Sequence, residues 1–124
     1  MSPKFFKFTR KGKLPAFKDH DKFREFDEIT LYYFKLVDKY DQLIMTSEGY
    51  SSAGLRDKAI AAVKLYSGYD EHFERSSTPG GKWFYTLRGS DYKILGTSRM
   101  YSTSGELEDA IAELRSLAPK ALIA

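Results

Sequence analysis

The stretch TSEGYSSAG, Thr46 to Gly54, recurs as TSRMYSTSG, Thr97 to Gly105, with five identical positions at an offset of 51 residues. The same offset aligns residues 32–64 with residues 83–115 without a gap, and nine of these 33 positions are identical. Self-similarity at a fixed offset indicates an internal duplication. We therefore treat the chain as two copies of one structural unit.

Each copy predicts a β-hairpin. The aromatic runs LYYFKLV (31–37) and KWFYTLR (82–88) are typical of strands, because aromatic and β-branched side chains suit a pleated surface. Turn-forming residues follow each run. The shorter runs QLIMTS (42–47) and KILGTS (93–98) then supply the second strands.

A helix is expected directly after each hairpin. Ser51 or Ser52 can cap the first helix, while Thr103 and Glu106 have the spacing of a capping box for the second. Three residues at helical spacing give the second helix one apolar stripe: Leu107, Ile111 and Leu114.

Four further segments can add strands to this pattern. HFERSS (72–77) follows the first helix, and KALIA (120–124) follows the second. KFFKFTR (4–10) and KFREF (22–26) both precede the first hairpin, and the pattern alone does not choose between them.

One unit of about fifty residues buries too little apolar area to fold well alone. We therefore predict an α+β fold in which both copies share one sheet, with both helices on one face and pseudo-twofold symmetry. The whole chain, 1–124, is interpreted as a single domain. Its parts are an N-terminal extension (1–22), a first repeat (23–76) and a second repeat (77–124).

The motif TSEGYSS, between LYYFKLVDKYDQLI and DKAIAAVK, resembles the YegP-like domain, a bacterial family of unknown function. The resemblance covers about Phe23 to Leu117. It implies a β-β-β-α-β unit, present as tandem repeats or paired subunits, with a shared antiparallel sheet and exchanged C-terminal strands. A monomer is expected, because the duplication itself supplies the pairing.

The sequence departs from the family pattern in its turns and helices. Asp38–Asp41 and Gly89–Tyr92 lack the family's Asn-Gly, and Ala59 and Ala110 replace its helix glycine. Neither change affects the predicted fold, because longer turns can close a hairpin and alanine favours helix. The family has no established catalytic residues to carry over.

The repeated motif has two interpretations. As a structural corner, its hydroxyls cap the helix and satisfy strand ends while its tyrosine packs over the hairpin. As a site, hydroxyls and an aromatic ring near a helix N-terminus could bind a small ligand or an anion. The structural interpretation is favoured for these residues: Thr46, Ser47, Tyr50, Thr97, Ser98 and Tyr101.

Alternation separates the hairpin aromatics into two faces, with Tyr33 and Phe84 opposite the others. The candidate interaction surface consists of Tyr32, Phe34, Trp83, Tyr85, Lys35 and Arg88. A protein partner is the first hypothesis. Weak binding of single-stranded nucleic acid is the alternative, using these aromatics with a basic N-terminus. The N-terminal cations are Lys4, Lys7, Arg10, Lys11 and Lys13.

The charge balance weighs against the nucleic-acid alternative. The net charge is +3, and the basic N-terminus contributes +5 before the first acid, which leaves −2 for the remaining residues. Aromatic pairs also stabilise a sheet without any ligand.

No catalytic or metal-binding constellation is predicted. The chain has no cysteine, which excludes disulfides and thiolate chemistry, and TPGGK lacks the spacing of a phosphate-binding loop. Two histidines stand beside carboxylates, His20 with Asp19 and Asp21, and His72 with Glu71 and Glu74, in segments typical of solvated residues. We therefore expect a non-enzymatic interaction or structural module without a cofactor, in the cytoplasm and without a membrane span.

Overall fold

A computed structural model describes residues 3–15 and 26–124, with side chains for residues 3–12 and 29–124. The elements of this part of the chain are β1 (Lys4–Pro15), β2 (Phe26–Val37), β3 (Leu43–Thr46), α1 (Ala53–Tyr66), β4 (Phe73–Ser77), β5 (Trp83–Arg88), β6 (Ile94–Ser98), α2 (Ser104–Leu117) and β7 (Leu122–Ile123). Short 3₁₀ turns at Asp70–His72 and Ala118–Lys120 lead into β4 and β7.

All seven strands form one sheet in the order β4-β5-β6-β3-β2-β1-β7. Both helices pack on one face of this sheet, because their buried residues belong to a single apolar core. The predicted α+β fold with an internal duplication is confirmed. The sheet is mixed rather than wholly antiparallel, since β7 pairs in parallel with β1 while the other neighbours are antiparallel.

The centre of the sheet lies between β3 and β6. There Thr46 stands directly opposite Thr97, its own counterpart at the 51-residue offset. A pseudo-twofold axis therefore passes between these two threonines. The strands that follow the helices are exchanged, because β4 pairs with β5 of the second copy and β7 joins β1 at the end of the sheet formed by the first.

The segment KFFKFTR supplies the outer strand of the first copy. β1 pairs with β2 along its whole length, whereas residues 22–25 of KFREF lie outside the described residues and Phe26 already belongs to β2. The Phe5 ring meets Phe34 edge to face at 5.6 Å and 73°. Phe73 of β4 meets Tyr85 in the same way, at 5.3 Å and 75°. β1 thus takes beside β2 the place that β4 takes beside β5.

The two helices differ in residue type at one equivalent position that packs on the sheet. Leu107 of α2 is fully buried, and Arg56 occupies the corresponding place in α1. The Arg56 guanidinium lies 5.6 Å from the Tyr32 ring centroid and 3.2 Å from an Asp57 oxygen. Its aliphatic stem therefore covers the sheet while its charge stays paired at the edge. No helix within the described ranges is long and apolar enough to cross a bilayer.

Candidate functional site

The serines of the repeated motif are used as backbone partners. Ser47 Oγ accepts a hydrogen bond from Phe34 N at 2.9 Å and donates one to the Glu48 carbonyl at 2.8 Å. Ser98 makes the same two bonds in the second copy, at 2.9 and 2.8 Å. Each hydroxyl completes the ladder where its strand leaves the sheet, which gives the repeated serine a structural role.

The tyrosines of the motif close the same corners. Tyr50 exchanges two backbone hydrogen bonds of 2.8 Å with Tyr32, and Tyr101 exchanges bonds of 2.8 and 2.7 Å with Trp83. Burial is the main cause that raises the pKa of both phenols. Nearby carboxylates raise the Tyr50 pKa further, whereas Arg99 opposes the rise of the Tyr101 pKa.

The helix caps also use motif hydroxyls. Ser52 Oγ accepts from Leu55 N at 3.2 Å, and Thr103 Oγ1 accepts from Glu106 N at 3.1 Å. The Glu106 carboxylate reaches back to Ser102 N at 3.0 Å, one residue before the position that a standard capping box uses. These bonds support the structural interpretation of the corner over a ligand site.

The prediction that the aromatic rings of the interaction surface lie on an exposed face of the sheet is wrong. Phe34 and Tyr85 are fully buried beneath the helices, and the half-buried Trp83 packs against the same core. The half-buried Tyr32 lies on the same side, beneath the Arg56 guanidinium of α1. The apolar stripes of the helices settle on the face that holds these four rings. The two cations of the predicted surface, Lys35 and Arg88, therefore lie on the opposite, uncovered side, which we call the open face.

The middle of the open face is polar. One row of directly opposed residues crosses the sheet there and places three threonines side by side around the pseudo-twofold axis. In order from β4 to β1, the row is Glu74, Thr86, Thr97, Thr46, Lys35 and Phe6.

One half of the open face carries a cluster that we call the basic aromatic patch: Lys4, Phe6, Phe8, Arg10, Tyr33 and Lys35. The Phe8 and Tyr33 rings stack at 5.2 Å with planes 8° apart. The Arg10 guanidinium lies 5.6 and 5.5 Å from their centroids. The three rings are partly exposed, and Arg10 and Lys35 are exposed. Among the described side chains, no open-face position of β1 or β2 holds a carboxylate.

The other half of the open face lacks this chemistry. By strand register, Glu74 stands where Phe6 stands and Ser76 where Phe8 stands. Arg88 is neutralised there by Glu74, with Nε 3.2 Å from a carboxylate oxygen. The difference arises because β1 lies outside the duplicated segment. The internal repeat therefore gives no sign of the patch, although alternation along KFFKFTR places Phe6, Phe8 and Arg10 on one face.

Each corner tyrosine also lines a cleft between a helix and the hairpin turn of the other copy. Tyr101 lines a cleft of about 390 Å³ beside α2, together with Arg99 and Glu113. Tyr50 lines the related cleft of about 660 Å³ beside α1, together with Lys58. The two clefts occupy equivalent places in the two copies but are lined by different charged residues, so they do not form two equivalent sites.

His72 lies among the residues that the structure describes, where its ring makes packing and backbone contacts. His72 Nδ1 lies 2.9 Å from the Arg88 carbonyl, and its ring packs on Tyr66 at 4.6 Å. Glu74 is held by Arg88. No group of three metal-ligating side chains occurs among the described residues. His20, Asp19 and Asp21 lie outside them.

The fold and the surfaces define a class: a duplicated α+β module with one sheet, covered by two helices on one face and open on the other. Residues 30–74 and 80–124 each match the family described as Domain of unknown function (DUF1508). The chain therefore belongs to this family as a tandem repeat.

Similar proteins carry the name UPF0339. The chain is 33% identical to the UPF0339 protein YegP of Escherichia coli K12 over 75 residues, which cover 60% of this chain and 68% of that protein. It is 30% identical to a UPF0339 protein of Bordetella pertussis over 92 residues, 74% of this chain and 83% of that protein. Nothing in these similarities points to an enzymatic activity.

Two solution structures share the fold. The structure of yegP from E. coli, a protein of unknown function, has a TM-score of 0.72 at 24% identity and covers 98% of this chain and 89% of that one. The UPF0339 protein SO3888 of Shewanella oneidensis has a TM-score of 0.74 at 20% identity, covering 99% and 90%.

Proposed function

We propose that this protein is a non-enzymatic binding module whose basic aromatic patch binds single-stranded nucleic acid. The observation that carries the proposal is the composition of the patch. It joins three partly exposed rings to three cations, without a carboxylate among the described open-face side chains of β1 and β2.

The chemistry of the patch fits an extended anionic chain with flat bases. Single-strand binders combine cations that follow the phosphates with aromatic rings on which bases stack. Arg10 bridges both functions, because its guanidinium lies over the Phe8 and Tyr33 rings and its charge stays exposed. The patch is small and two of its rings already stack on each other, so we propose weak, salt-dependent binding.

The inner ring of the stack is the less available one. A Cβ on Gly49 would lie only 2.9 Å from Tyr33 Cζ and its hydroxyl oxygen, so this backbone packs closely against the hydroxyl end of the ring, while Phe8 stacks on its face. We therefore assign base stacking to Phe8 and Phe6, and a positioning role to Tyr33.

The proposal includes a monomer, because both copies are already paired within one sheet. Light scattering after size-exclusion chromatography tests this part. It also includes a cytoplasmic location, in keeping with a chain without cysteine, and cell fractionation tests that part.

The test is fluorescence anisotropy with a short labelled oligothymidylate at several salt concentrations. Arg10→Thr and Lys35→Thr should each reduce the slope of log affinity against log salt by about 0.7, because each removes one phosphate contact. Phe8→Ser should weaken binding about tenfold and leave that slope unchanged.

The second copy offers a matched control on the same face. Arg88→Gln removes a cation that Glu74 already neutralises, so this variant should bind like the parent. The proposal fails if Arg88→Gln weakens binding as much as Lys35→Thr does. It also fails if polyglutamate binds as tightly as the oligonucleotide, since the patch would then select an acidic protein.

A further inference from the structure

Among the described strands, only β7 pairs with the outer edge of β1. On this side β7 reaches only the start of the strand, where Leu122 N donates to the Pro3 carbonyl at 3.0 Å and Ala124 N donates to the Phe5 carbonyl at 2.9 Å. Beyond Phe5, no other strand in residues 3–15 and 26–124 pairs with this edge. An unpaired edge presents backbone donors and acceptors to any extended chain.

Strand alternation identifies which backbone groups point outward. Pro3 and Phe5 direct their carbonyls to β7, and β1 shows no register shift against β2. The backbone N–H and C=O groups of the odd-numbered residues therefore point outward. Those of Lys7 and Thr9 lie on the outer edge beyond the end of β7. Even-numbered residues such as Phe8 direct their backbone groups to β2.

The side chains beside this edge specify a partner. A strand added next to β1 would alternate between two faces. On the helix face its side chains would lie beside Lys7 and Thr9, and on the open face beside Phe6 and Phe8. Lys7 is held 3.0 Å from Asp57 but keeps about a third of its side chain exposed, so it can reach a second carboxylate.

We propose that the outer edge of β1 binds an extended segment of a partner protein by β-augmentation, and that this segment alternates acidic and apolar side chains. Main-chain hydrogen bonds supply affinity in this binding mode and the alternating side chains supply specificity. A second copy of the chain does not fit, because two β1 edges would place their lysines against each other. The outward backbone groups of Lys7 and Thr9 and the charge of Lys7 take no part in the proposed nucleic-acid binding, whereas the Phe6 and Phe8 rings border both surfaces.

Thr9 gives a direct test, with a labelled peptide of alternating glutamate and valine as the probe. Thr9→Pro removes an outward N–H that the β1–β2 ladder does not use, and proline is tolerated at such edge positions. The parent should bind the glutamate peptide at least about tenfold more tightly than a lysine–valine peptide, because opposite charges pair across strands. Thr9→Pro should lose about tenfold in affinity, while the matched variant Thr9→Ala should not.

Amide hydrogen exchange provides a second readout on the unmodified protein. Peptide addition should slow exchange at Lys7 and Thr9 and leave Phe8 unchanged, since only the outward amides gain a partner. The inference is overturned by unsaturable or charge-independent peptide binding, by Thr9→Pro that folds and binds like the parent, or by unchanged exchange at Thr9 with peptide bound.

Discussion

The centre of the core contains a space that two equivalent positions share. Met45 and Gly96 are related by the 51-residue offset, and they stand opposite Leu36 and Leu87 on the helix face. Met45 is fully buried. A Cβ on Gly96 would lie 2.7 Å from Met45 Cε and 3.2 Å from Sδ. One methionine thus fills the volume beside the axis, and its counterpart can have no side chain.

The expected energies follow from this contact. Met45→Ala should cost about 3 kcal/mol, as for other fully buried methionines. Gly96→Ala should cost about 1 kcal/mol. The new methyl would lie at least 0.7 Å closer to Met45 than ordinary contact allows, and this crowding outweighs the gain from replacing a strand glycine. In the Met45→Ala background the added methyl enters the vacated space. The double variant should therefore be more stable than Met45→Ala alone.

Urea or guanidinium unfolding of the parent, both single variants and the double variant completes a double-mutant cycle. We expect a favourable coupling of about 2 kcal/mol. Gly12→Ala is the control, because among the described side chains its Cβ would meet Ile29 alone, at an ordinary 3.7 Å, and it should be additive with Met45→Ala. A Met45–Gly96 coupling below about 0.5 kcal/mol would refute the shared-space explanation.

Three further predictions concern stability. Tyr92 holds a positive φ of 62°, so Tyr92→Gly should stabilise the protein by about 1 kcal/mol in thermal unfolding, and a loss of stability would contradict the strain. Hydrogen bonds from Arg75 lower the pKa of Glu108 below its ordinary 4.5. The ion pair therefore stabilises the fold above pH 4.5, and this stabilisation is lost as the pH falls through the lowered pKa. Arg75→Met should therefore lower the melting temperature at pH 7 and leave it unchanged near pH 2, and a deficit that persists in acid would contradict this linkage. Tyr101→Ala should cost about 3 kcal/mol and Tyr50→Ala less, because the Tyr101 side chain is more buried; denaturant melts as stable as the parent would contradict the corner role.

The repeat predicted the fold because residues 51 positions apart occupy equivalent structural positions in the two copies. Thr46 and Thr97 marked equivalent strand ends, and the structure places them opposite each other on the axis. The helix starts followed from the hydroxyls of Ser52 and Thr103, whose capping bonds need only local geometry. These features depend on residues close in sequence or related by one fixed offset.

The covered face could not be chosen in the same way. Alternation puts Phe34 and Tyr85 together but does not say which face the helices will cover. That choice depends on the apolar stripes of both helices and on the strand β1, which the repeat does not contain. Phe5 shows the difficulty: its position matches Phe73 through strand register, not through any offset along the chain.

The same symmetry explains where the two halves must differ and where they are unconstrained. At the axis, two copies of one side chain would overlap, so Met45 fills the space and its counterpart is Gly96. In the core away from the axis, both halves need the same edge-to-face ring contact, and Phe5 and Phe73 supply it from unrelated segments. The open face and the sheet edge have neither requirement, and there β1 brings the residues that the second copy lacks. Both proposed surfaces therefore depend on residues of this one strand, and a pseudo-symmetric molecule presents each of them once.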